Sequence, residues 1–212
     1  MTSQEKIMNL LNSTVTALMY AVASKDPYTA KHQRRVAYIS CAIAQEMGEG
    51  AEFIEGMRVM GLVHDLGKIA IPSQILSKPG QLSRQEFDLV KTHPGVGAEI
   101  LAKIDFPWPV ALAVLQHHER LDGSGYPCGL PGSQILLEAK ILAVADVVEA
   151  ITSHRPYRPA MGIKKALAEI SEKQGELFDP WVVGACLKIF AALPKDQDDQ
   201  FFNDQCLKYG VN

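Results

Sequence analysis

The sequence predicts an all-α fold. Apolar residues recur at three- and four-residue steps along most of the chain. The Asp-Pro pairs at 26–27 and 179–180 read as helix starts. No stretch alternates apolar and polar residues in the manner of a strand, and no internal repeat is visible.

The elements follow in order. Ile7, Leu10, Leu11, Val15, Leu18 and Val22 define a helix over residues 4–24. Asp26-Pro27 stops it and starts the next, with Asp as N-cap and Pro, whose fixed φ suits a helix, in the first turn. That second helix runs to about Met47, with Val36, Ile39, Ala42 and Ile43 on one face, and a third covers about 51–66. Residues 67–82 mix Gly and Pro breakers with short apolar pieces, so they read as a loop with at most one helical turn. Ser83 and Glu86 have the spacing of a capping box ahead of Phe87, Leu89 and Val90. Further helices fit 94–104, 107–118, 134–153, 161–174 and 180–192. Residues 119–133 form a long Gly/Pro-rich loop centred on GSGYPCGLPG, and long ordered loops in compact domains are often functional. This pattern implies one domain over residues 1–195 and a polar tail over 196–212 that contains DQDDQ.

Composition narrows the function. The 212 residues carry a net charge of −3 and no Lys/Arg tract, which argues against binding polymeric nucleic acid or a membrane surface. A small anion remains open, because a bound cation and a few local basic residues can outweigh the global balance. Cys41, Cys128, Cys186 and Cys206 form no CxxC pair and suit reduced thiols in a cytoplasmic protein. No apolar run reaches the length of about 18 residues that marks a membrane span, and MTSQEKIMNLLNS lacks the basic start and apolar stretch of a secretory signal.

The histidines and aspartates carry the chemistry. His64-Asp65 sits in GLVHDLGK at the end of an apolar helix, His117-His118 ends another, and Asp146 lies inside ILAVADVVEAI. Any one of them alone reads most simply as a hydrogen-bonded core residue. Together they point to a cation, since an ionised Asp in an apolar helix is costly unless it is paired or bound to metal. Imidazoles with carboxylates suit Fe, Mn, Zn or Ni. Adjacent helical residues point about 100° apart, so His64 and Asp65 can serve neighbouring positions of one cluster. Lys68, a turn further on, brings an ammonium to the rim, where it can stabilise developing phosphoryl charge.

His32 in KHQRRV, His64-Asp65 with Gly67-Lys68 in HDLGK, His93 in KTHPGVG, His117-His118-Glu119 in QHHERLDGSGYP and Asp146 in VADVVEA form an ordered series. With Gly125-Tyr126-Pro127 and the later SHRPYRPA segment, that series resembles the HD-GYP phosphodiesterases, a branch of the HD superfamily, over residues 13 to 191.

The resemblance implies a compact helical bundle of the HD superfamily, with its GYP loop at an open metal site. It implies metal binding by His32, His64, Asp65, His93, His117, His118 and Asp146. Asp65 would bridge two ions, His32, His64 and Asp146 completing one, and His93, His117 and His118 the other. Iron is the expected metal, with manganese as the alternative. Such a site supplies hydroxide at neutral pH for in-line attack on phosphorus, with Asp65 and Lys68 as catalytic residues. Tyr126, Arg155, Arg158 and Lys68 would contact substrate, while His154 has no matched role. Arg155 and Arg158 read otherwise as a solvated basic surface. Gly123, Gly125 and Gly129 most simply permit the turns of the loop. The implied reaction is hydrolysis of the 3′–5′ phosphodiester of cyclic di-GMP to pGpG, with further cleavage to GMP left open. Cyclic GMP-AMP stays an alternative substrate, because nothing in the sequence reads guanine against adenine. A catalytically weak sensing or adaptor module is the rival from another class, and the intact ligand series with Lys68 weighs against it. A receiver or sensory domain, in the same or another chain, is the implied regulatory partner. Some family members hold a third ion through a glutamate one turn before the position of His32. That position here is Tyr28, a neutral phenol and poor ligand, so two ions are expected.

Overall fold

The computed structural model describes residues 2–25, 27–153, 160–192 and 209–211. Among them are the helices α1 (Ser3–Ala23), α2 (Pro27–Glu46), α3 (Ala51–Val63), α4 (Ser73–Leu76), α5 (Arg84–Val90), α6 (His93–Leu101), α7 (Val110–Gln116), α8 (Leu137–Thr152), α9 (Ile163–Glu172) and α10 (Pro180–Ala192). Two short 3₁₀ turns, Leu66–Ala70 and Gly132–Gln134, join them, and the described residues form no strand. The expected all-α architecture is what the chain adopts.

The caps behave as their chemistry demands. Ser83 accepts from the Glu86 backbone N–H at 3.2 Å while the Glu86 carboxylate accepts from the Ser83 N–H at 2.7 Å, so the capping box is complete. Asp179 accepts from Trp181 N–H at 3.0 Å, which starts α10. Asp26 lies outside the described residues.

Three local expectations need correction. The helix expected over 51–66 ends at Val63, because Asp65 leaves helical geometry at φ −95 and ψ 10. Residues 67–82 hold two helical turns instead of at most one, the 3₁₀ turn and α4. Pro72 precedes α4 as its N-cap, so its fixed φ begins that turn where a breaker was expected. The helix expected over 107–118 starts only at Val110, after Pro107 and Pro109.

The core forms around α2. Val36, Ile39, Ala42 and Ile43 are buried as expected, but so are Ala37, Ser40 and Cys41 on its other sides. The helix is central, packed by α1, α3, α8 and α10, so the one-faced pattern understates its burial. In α1 the residues Val15, Met19 and Val22 are buried, whereas Leu10 is 69% exposed. Leu10 lies five residues from Val15, about 140° around the helix, which takes it off the buried stripe.

The 3₁₀ turn is pressed against α6. A Cβ on Gly67 would stand 1.9 Å from the His93 carbonyl oxygen, so only glycine allows this approach. The Lys25 ammonium at the end of α1 donates to the Ile69 carbonyl and holds the turn from its other side. No helix among the described residues is long and apolar enough to cross a membrane, and Cys41, Cys128 and Cys186 are free thiols.

Candidate metal centre

Helix ends bring most of the polar residues together. His64 is the C-cap of α3, His117 is the C-cap of α7, and His93 begins α6 directly after α5. In each case Nδ1 pairs with the carbonyl oxygen three residues earlier: Gly61 at 2.8 Å, Val90 at 2.7 Å and Val114 at 2.6 Å. The last carbonyls of a helix lack intrahelical partners, and these imidazoles supply one. A carbonyl only accepts, so the proton sits on Nδ1 and each Nε2 keeps its lone pair.

The Nε2 atoms face one another. His32 Nε2 lies 3.2 Å from His64 Nε2, and His93 Nε2 lies 3.4 Å from His117 Nε2. In the second pair both atoms are acceptors, so neither can satisfy the other. A cation between them satisfies both, and this donor set therefore fits a metal.

Asp65 stands between the pairs. Its Oδ2 is 3.5 Å from both His32 Nε2 and His64 Nε2, while its Oδ1 is 3.3 Å from His93 Nε2. Asp146 Oδ1, from α8, is 3.3 Å from His32 Nε2. Three groups of donor atoms each lie within 4.8 Å of one another: His32, His64 and Asp146; His93, His117 and His118; and His64, Asp65 and His117. The first two are the sets expected around the two ions, and the third joins them. His32, His64, Asp65, His93 and His117 are buried, and His118 and Asp146 are half-buried.

Lys68 and Tyr126 border the cluster. Lys68 Nζ donates to Asp65 Oδ2 at 2.6 Å, so the ammonium touches the carboxylate itself instead of standing only at the rim. The Tyr126 ring stacks on His118 with centroids 4.7 Å apart, and Phe87 meets Tyr126 edge-on at 6.5 Å. The GYP loop is held by Glu119, whose buried carboxylate accepts from Cys128 N–H at 2.7 Å and Leu130 N–H at 3.0 Å. A Cβ on Gly125 would lie 2.4 Å from Arg120 N and Glu119 Cα, so close approach explains this glycine, while Gly123 and Gly129 take positive φ.

Arg155, Arg158 and His154 lie outside the described residues, as does the Tyr28 side chain. Sequence reasoning missed Glu149. Its buried carboxylate meets His32 Nδ1, and it accepts from the Ser153 hydroxyl. The signal was available, because an acid three residues after Asp146 in the same apolar helix raises the question that singled out Asp146.

The electrostatics make the cluster ready for cations. Burial, together with His64 and His93, pushes His117 down to about 3, and burial with His117 holds His118 well below its ordinary value. Burial also lowers His64. His32 moves the other way: burial opposes its charge, but Glu149, Asp146 and Asp65 outweigh it and raise the group well above its ordinary value. Asp65 and Asp146 lie well below the usual carboxylate range despite burial, Asp65 through Lys68 and His64 first, Asp146 through His32.

A pH dependence follows for metal-stripped protein. His117 and His118 stay neutral when folded but protonate near pH 6.5 when unfolded. Their stabilisation is thus present above that pH and lost as pH falls. Between pH 7 and pH 5 His117, held down near 3, loses about 2 kcal/mol, and His118 and the likewise lowered His64 change in the same direction. His32 is raised, so its contribution is fully present below its unfolded pKa near 6.5 and offsets the loss only in part on acidification. A net loss on the order of 2 kcal/mol is expected, measured by urea unfolding at the two pH values. Equal or greater stability at pH 5 would show that the folded protein accepts protons on His117 and His118.

A family model described as HD domain matches residues 16–182. The chain belongs to the HD-domain family. The cyclic di-GMP phosphodiesterase response regulator RpfG of Xanthomonas campestris is 39% identical over 188 residues, which are 88% of this chain and 50% of that protein. The 3′3′-cGAMP-specific phosphodiesterase 3 of Vibrio cholerae is 38% identical over 186 residues, covering 88% of this chain and 40% of its own length. The chain thus spans half or less of the length of these curated relatives. Among solved structures, the cyclic GMP-AMP-specific phosphodiesterase V-cGAP3 of V. cholerae matches with a TM-score of 0.64 at 18% identity, over 92% of this chain and 52% of that one, a likeness of fold.

Proposed function

We propose that this chain is a metal-dependent phosphodiesterase that opens the 3′–5′ phosphodiester of cyclic di-GMP to give pGpG. The observation that carries this reading is the division of Asp65, with one oxygen toward His32 and His64 and the other toward His93. His32, His64 and Asp146 would hold one divalent ion, and His93, His117 and His118 the other, with Asp65 shared. Iron is the proposed metal and manganese the alternative. Bound there, the ions supply a hydroxide nucleophile at neutral pH by lowering the pKa of water.

The chain's own residues do the rest. The tethered imidazoles fix the donor atoms before substrate arrives, so little reorganisation accompanies the reaction. Lys68 neutralises charge gathering on the phosphoryl oxygens. Tyr126, braced against His118, forms one wall for the ligand. Arg155 and Arg158 contact its phosphates. The proposed setting is cytoplasmic, with a receiver or sensory domain as regulatory partner.

Cyclic GMP-AMP is the second reading, because one relative at 38% identity is named for 3′3′-cGAMP and another at 39% for cyclic di-GMP. The test is elemental analysis of protein purified with and without air, followed by incubation with each dinucleotide and chromatography of the products. Two ions per chain and release of pGpG support the proposal. Faster turnover of cyclic GMP-AMP reassigns the substrate, three well-occupied ions refute the count, and no hydrolysis of either by two-ion protein overturns the reading.

Arg155→Ala and Arg158→Ala should each weaken dinucleotide binding by about 10-fold, the scale of one charge-assisted contact. Calorimetric titration on protein loaded with Mn²⁺ measures it. Unchanged affinity in both variants would return these arginines to a solvated surface.

A further inference from the structure

The Nδ1 atoms of His64, His93 and His117 pair with backbone carbonyls, whereas that of His32 pairs with Glu149 Oε2. Asp146 and Glu149 lie three residues apart on α8 and share a face of it. His32 is therefore held between two carboxylates of one helix, its Nε2 3.3 Å from Asp146 Oδ1 and its Nδ1 on Glu149. The Glu149 side chain is 2% exposed. It belongs to none of the three donor groups that could hold an ion. Its other oxygen accepts from Ser153 Oγ, and Ser153 Oγ in turn accepts from Arg35 Nη1 at 3.1 Å.

We propose that Glu149 is a positioning residue for the ion held by His32. Accepting the Nδ1 proton fixes the tautomer, so the Nε2 lone pair faces the cluster. A carboxylate accepting from the far N–H makes the imidazole a stronger metal donor than a carbonyl there would. Ser153 and Arg35 hold the carboxylate in place. The two ions are then unequal. The His32 ion has a ligand backed by a carboxylate, and the His93 and His117 ligands of the other have carbonyl partners.

This inference rests on the two-ion reading, and its test separates the two. Metal-stripped wild type, Glu149→Gln, Glu149→Ala and Ser153→Ala are titrated with Mn²⁺ by calorimetry. X-ray absorption then counts the nitrogen and oxygen neighbours of the bound metal. Wild type should bind two ions. Glu149→Gln, which keeps shape and an acceptor but loses charge, should weaken one ion by about 10-fold and leave the other unchanged. Glu149→Ala should weaken the same ion by about 100-fold. Should the Ala variant not fold, the Gln variant decides alone. The metal's neighbour count should stay the same in the Gln variant.

Equal affinities in wild type and Glu149→Gln would overturn the proposal while leaving the two-ion reading standing. Loss of an oxygen neighbour in Glu149→Gln would overturn it too, by making Glu149 a ligand. Ser153→Ala, which loosens the carboxylate but keeps its charge, should weaken the same ion less than Glu149→Ala does. Wild type that binds no ion would sink both readings.

Discussion

Asp65→Ala is expected to give a folded protein that loses most of its metal and all of its phosphodiesterase activity. No other side chain in the cluster offers donor atoms to both histidine pairs, with Oδ2 toward His32 and His64 and Oδ1 toward His93. Removing it takes away the shared ligand and the negative charge that offsets two cations in a buried site. The fold should survive. His64, His93 and His117 keep their own carbonyl partners, so their Nδ1 atoms stay paired without Asp65. Lys68 loses its Asp65 partner but is half-buried and can turn toward water. Circular dichroism reads the fold, elemental analysis the metal, and product release the activity. Full metal content together with turnover in this variant would remove Asp65 from the centre. Asp65→Asn separates charge from shape, and it should fail nearly as badly if the charge is what holds the ions.

Lys68→Ala should lower kcat by roughly 10²–10³, the effect of losing one contact made mainly in the transition state. In the structure the ammonium sits 2.6 Å from Asp65 Oδ2. Cations bound at Asp65 would compete for that oxygen and repel the ammonium, which would free Lys68 to turn to the phosphoryl oxygens. Metal content should therefore hardly change in the variant. Steady-state kinetics with elemental analysis distinguishes three roles. A fall in kcat with metal retained supports the electrostatic one. A higher KM with kcat intact would mean that Lys68 only holds substrate. Reduced metal content would mean that its place is to orient Asp65.

Much of the centre was legible because metal chemistry restricts residue types. Six imidazoles are few, and those at 32, 64, 93, 117 and 118 fall where helices carry or end an apolar face. Asp146 stood out by its cost in an apolar helix, and that cost applied equally to Glu149. What spacing could not give was the use of each ring nitrogen. That depends on which helix ends before the histidine, and on which carbonyl it leaves open. The break at Asp65 is a case in point. A helix over 51–66 would set His64 and Asp65 on one continuous spiral, whereas the chain turns into a 3₁₀ segment there. Likewise the three-residue step from Asp65 to Lys68 was visible, but the close pair it forms depends on that tighter turn.

The three histidines that serve helix ends have a consequence for the dynamics of the apoprotein. An ion that holds Nε2 also holds, through the same ring, the last turns of α3, α5 and α7. Chelation should then raise amide hydrogen exchange together near residues 61–66, 90–93 and 114–119, although these stretches are remote in sequence. Mass-resolved exchange before and after metal loading would register three separated segments as one cooperative unit. The centre is in this sense also a fastener. Its occupancy would set how often those helix ends open to water, and with it the exposure of their connecting segments to proteases.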